Sequence, residues 1–105
     1  MAVTRSFKST VEARLARDPR FREALLRESV ETILSGDVET GKAVLRDYIK
    51  ATVGFTALSE GTGTPAKSLI RMFGPKGNPN AQNLFKVIGH LQKAGRYRVA
   101  HRVIP

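Results

Sequence analysis

Apolar positions recur every three or four residues over most of this chain, then every second residue at its end. Phe21, Leu25, Leu26, Val30, Ile33 and Leu34 keep helical spacing until Gly36 stops the run. Asp18-Pro19 introduces it, an acid at the N-cap followed by a proline that needs no donor in the first turn. Upstream, Ser9 and Glu12 have capping-box spacing and open a short helix to about Arg17. Asp37 begins the next helix, with Val38, Leu45, Tyr48, Ile49 and Val53 on its apolar side and Gly54 at its end. A brief helix over residues 55–60 follows.

Residues 61–80, GTGTPAKSLIRMFGPKGNPN, then hold one short amphipathic segment between two turn-forming corners. Asn80 caps a helix that turns Leu84, Val87, Ile88 and Leu91 inward and is closed by Gly95. In the tail, Tyr97, Val99, His101 and Val103 alternate with Arg96, Arg98, Ala100 and Arg102. That period of two predicts a strand with one basic face. Such a strand must pair with another copy, another chain or a further strand, because a single one does not stand alone.

At 105 residues, the chain is expected to form one domain with a single modest core. It has no cysteine, which excludes disulfides and thiolate metal sites. No apolar run approaches the roughly 18 residues of a membrane span, and Met1 to Thr10 lacks the apolar segment of a signal peptide. A cytoplasmic location is therefore expected. Charge changes the picture more than composition does. The net charge is +9, yet residues 54–105 hold eight Lys/Arg against the single acid Glu60, while residues 1–53 hold ten against eight. A solubilising surface mixes both signs; a one-signed field more often faces a polyanion.

The stretch around residues 58–72 meets the needs of two short helices crossing at a steep angle. Leu58 anchors the first, Ser59 is small enough for close approach, and Gly63 supplies the turn. Thr64 is placed to cap the second helix and Pro65 to occupy its first position. Leu69 and Met72, three apart, point into the core and leave Lys67, Ser68 and Arg71 outward. Two stacked cations, Lys67 and Arg71, gain nothing from each other but suit phosphates or guanine edges. The plain alternative is a surface helix whose cations face water.

With these residues in place, the segment FTALSEGTGTPAKSLIRMFGPKGNPNAQNLFKVIGHL resembles phage-repressor-like helix-turn-helix domains. Among them it is most similar to the antidote proteins of addiction (toxin–antitoxin) modules and to small prophage regulators. The likeness covers about residues 37–95 and none of the first 36. It implies an all-α fold: a five-helix DNA-binding domain (37–95) preceded by an N-terminal helical extension (1–36) and followed by the short C-terminal strand (96–105). It also implies a homodimer on an operator palindrome near its own promoter, and a cognate toxin as a further partner. Three positions depart from the family pattern: Thr62 replaces an apolar residue, Phe55 a phosphate-binding glutamine, and Pro65 a polar helix starter.

The candidate DNA-contacting set is Thr64, Pro65, Ala66, Lys67, Ser68, Arg71, Lys76 and Asn78. Arg71 is the favoured base reader, since guanidinium pairs with guanine through two bonds. Ala66 suits a thymine methyl, and Ser68 either the DNA or its own backbone. The loop from Gly74 to Asn78 would follow the phosphates, with Lys76 neutralising. Asn80 is better explained as a helix cap. Arg96, Arg98 and Arg102 either extend the footprint or keep an edge strand soluble. Catalysis finds little support: His90 and His101 have only Glu60 nearby among acids, and GTGTPAKS lacks the phosphate-loop spacing. No cofactor, metal or membrane partner is expected. The rival readings are a toxin-neutralising interaction module and a basic RNA-binding protein.

Overall fold

The computed structural model describes residues 5–103, with side chains over residues 9–94. Six helices follow one another: α1 (Arg5–Arg17), α2 (Pro19–Leu34), α3 (Val38–Ala51), α4 (Gly54–Thr62), α5 (Ala66–Met72) and α6 (Ala81–Val103). No strand occurs among the described residues. The all-α class holds, but the expected C-terminal strand does not. The helix that starts at Ala81 runs through Gly95 to Val103. One glycine costs a helix interior only about 1 kcal/mol, and Arg and Ala are good helix formers. A period of two over so few residues is too weak to oppose them. The side chains of Arg96, Arg98, His101 and Arg102 lie outside those described. From residue 37 onward there are four helices, not the five the resemblance implies.

The corner between α1 and α2 is locked by polar contacts. Asp18 accepts from the backbone N–H groups of Arg20 and Phe21, both at 3.1 Å, and Pro19 fills the first helical position without needing a donor. Arg22 is buried and donates from Nη1 to the carbonyls of Leu15 (2.9 Å) and Ala16 (3.3 Å), satisfying the open end of α1. The Arg14 guanidinium lies 4.4 Å from the centre of the Phe21 ring and donates to Asp18 at 3.4 Å.

α3 is the hub, packed against α1, α2 and α4, while α6 spans from α4 back to α2. Leu45, Tyr48 and Ile49 of α3 sit in one continuous core with Leu15, Leu26, Leu58, Leu69 and the α6 stripe Leu84, Val87, Ile88 and Leu91. The helical periodicity of α2, α3 and α6 thus places their inward faces as the spacing requires, except at Leu34 and Val38, which the spacing put on the apolar stripes and the structure leaves exposed at the corner between α2 and α3. Residues 5–36 contribute to the same core as the helices that follow.

Candidate nucleic-acid interface

Every device at the junction of α4 and α5 serves to hold a seven-residue helix at a fixed angle. Gly63 adopts φ 76°, a left-handed conformation open to glycine at no steric cost, and its N–H closes α4 on the Ser59 carbonyl at 2.9 Å. Thr62, which stands where the family pattern has an apolar residue, is buried with its hydroxyl satisfied. It donates to the Leu58 carbonyl at 2.8 Å and accepts from the Thr64 N–H at 3.4 Å. The Thr64 backbone is thus tied back to α4, and its side chain makes no capping bond to α5. Pro65 takes the cap position with extended backbone and no side-chain capping bond, so the helix starts one residue later than its sequence suggests.

α5 buries Leu69 completely and half-buries Met72. Phe73, which ends the helix, is also fully buried and meets Phe55 with ring centres 6.4 Å apart. Phe55 thus packs inward against the end of α5. Lys67, Ser68, Ile70 and Arg71 are exposed, and Ala66 and Thr64 are half-buried. The sequence placed Lys67, Ser68 and Arg71 outward, and the structure does the same; Ile70 on that surface was missed.

The loop after α5 folds back onto it. A Cβ on Gly77 would overlap the carbonyl oxygens of Arg71 and Met72, so only glycine allows this return. From α3, 35 residues away in sequence, Lys42 donates through Nζ to the Gly77 carbonyl at 2.8 Å, and to Glu39 at 3.4 Å. Lys42 is only 3% exposed. Lys76 and Asn78 flank Gly77 and are exposed, so the loop cation and the end of α5 bearing Arg71 are brought together. Lys42 was not among the candidate residues. Its position three before Leu45 and seven before Ile49 lies on the apolar stripe of α3, and that is the signal that would have found it. Asn80 is the cap of α6, accepting from the Asn83 N–H at 2.8 Å.

Among the described residues, no three His, Cys, Asp or Glu side chains come together as metal ligands, and no helix is long and apolar enough to cross a membrane. His90 is half-buried with its ring against Gly61 of α4. Comparison with family models, curated proteins and solved structures gives no match to this chain.

Proposed function

We propose that this chain is a sequence-specific transcriptional regulator that binds double-stranded DNA as a homodimer, with α4, Gly63 and α5 as its helix-turn-helix. One observation supports this most. A helix too short to be stable alone is fixed through Leu69 and Phe73 and displays Lys67, Ser68, Ile70 and Arg71 in the half of the chain that carries most of the net charge. In this reading α5 enters the major groove, Arg71 reads a base edge, and Lys76 with the backbone of its loop meets phosphates. A homodimer supplies the second half-site that one short helix needs for specificity. A cytoplasmic location goes with a DNA partner.

The fuller form of this proposal is the antidote of a toxin–antitoxin module that represses its own operon. For a protein partner, the supporting observation is the exposed pair Leu34 and Val38 at the corner between α2 and α3. Phe21 and Leu25, also near the N-terminus, are partly buried against the chain's own core. Footprinting on DNA upstream of the gene, with the RNA duplex of the same sequence as competitor, tests the function. Protection of a palindrome resistant to RNA is expected; equal competition by RNA would transfer the reading to an RNA-binding protein. Copurification with the product of the adjacent gene, lost in Leu34→Glu, tests the antidote role.

A further inference from the structure

We infer that Ile70 is a specificity-determining residue that reads thymine through its 5-methyl group; this rests on α5 entering the major groove. Ile70 is 53% exposed, on a helix whose other apolar side chains turn toward the core. The other exposed large apolar residues among those described have different settings: Leu34 and Val38 share one corner, and Phe85 stands on α6. Of these, only Ile70 lies on α5. Lys67 precedes it by three positions and so neighbours it on the helix surface, while Arg71 follows it in sequence about 100° further round the helix. Lys67 to Arg71 covers roughly 6 Å of helix axis at 1.5 Å per residue. That is about two base-pair steps at 3.4 Å each.

The charge on either side selects the occupant. A second copy of this helix would bring Lys67 and Arg71 against their own counterparts, and like charges repel. A DNA groove accepts both cations and offers an apolar partner beside them, because thymine alone among the bases presents a methyl group there. Ala66 was the sequence's candidate for that contact, but it is half-buried and shorter. An isoleucine beside an arginine on this strip assigns a thymine within a step or two of the guanine that Arg71 reads.

The test starts from duplexes that the full chain enriches from a randomised pool. Each thymine is replaced singly by deoxyuridine, which pairs alike but lacks the methyl. One position in each half-site should then bind about fourfold more weakly, the factor one buried methyl is worth. Ile70→Ala should bind the thymine duplex more weakly and no longer distinguish it from the deoxyuridine duplex, with circular dichroism unchanged. Discrimination kept in full by Ile70→Ala, or absent at every position in the parent, overturns the assignment while leaving DNA reading intact. A dimer that falls apart in Ile70→Ala while discrimination survives gives the residue to a second copy and overturns it as well. No enrichment from the pool overturns the DNA reading itself.

Discussion

The two halves of this molecule use their cations differently. In residues 1–53 five of the basic side chains are engaged at home: Arg14 with Asp18 and Phe21, Arg22 on the end of α1, Arg27 with Glu23, Lys42 with Glu39 and Gly77, Arg46 beside Asp47, while Arg17, Arg20 and Lys50 are exposed and join no such contact. Every ion pair found among the described residues falls in that half. Lys67, Arg71, Lys76, Lys86 and Lys93, in the second half, are exposed and join none of these pairs. Exposed pairs contribute little stability, so the contrast teaches less about folding than about purpose. A cation with a partner inside the chain finishes a helix end or a loop; a row of cations without one is available to another molecule.

The largest effect expected is on the contact that fixes α5 to the rest of the fold. Leu69→Ala should lower stability by about 2–5 kcal/mol, since it opens a cavity where α5 meets the core. Chemical denaturation checks this, and an unchanged midpoint would mean that α5 is not anchored through Leu69.

Lys42→Met addresses the one cation of the first half that serves the second. It keeps the buried stem but deprives the Gly77 carbonyl of its donor, an effect of about 1–3 kcal/mol. Hydrogen exchange should quicken in residues 74–80 more than in α2. Equal protection of that loop in both proteins would show that Gly77 is held by its own packing.

Smaller still is a pH effect confined to the first half. The Phe21 N–H bond, helped by Arg14 and the Arg20 N–H and opposed by desolvation, holds the Asp18 carboxyl below its ordinary value. The folded chain therefore binds this proton less readily than the unfolded one. Its contribution is full above the ordinary carboxylate range and is lost as pH falls through and below that range. Asp18→Asn retains a capping oxygen but cannot titrate, so its melting temperature should fall less steeply in acid than the parent's. Parallel acid limbs would contradict the assignment.

Much of this was legible because it is local. Asp18-Pro19, Gly63 and Asn80 mark their turns by backbone chemistry that needs no distant partner, and all three function where their types suggest. The stripe from Leu84 to Leu91 likewise shows its inward face through spacing alone. What escaped depends on long-range contact or on competition. Lys42 betrays its burial by its place on the apolar stripe of α3, but its partner, the Gly77 carbonyl 35 residues away, follows only from the fold. Thr64 has the chemistry of a cap, but Pro65 takes the cap position and the helix begins one residue later. In the tail, alternation was weighed against helix propensity, and propensity with a helix already under way prevailed. Ile70 is different: the phase that turns Leu69 and Met72 inward leaves it outward, so its exposure was there to be read.

The comparison between paired and available cations is tested most directly by measuring Arg71→Ala and Lys76→Ala on an enriched duplex and a scrambled one across several salt concentrations. Arg71→Ala should weaken the enriched duplex by about 1–3 kcal/mol and spare the scrambled one, because a base edge is lost. Lys76→Ala should weaken both about equally and reduce the salt slope by roughly one phosphate's worth, because only a backbone charge is lost. Parallel losses for both variants on every duplex would make α5 a basic handle that reads nothing, and no loss from either would mean that these cations face only water.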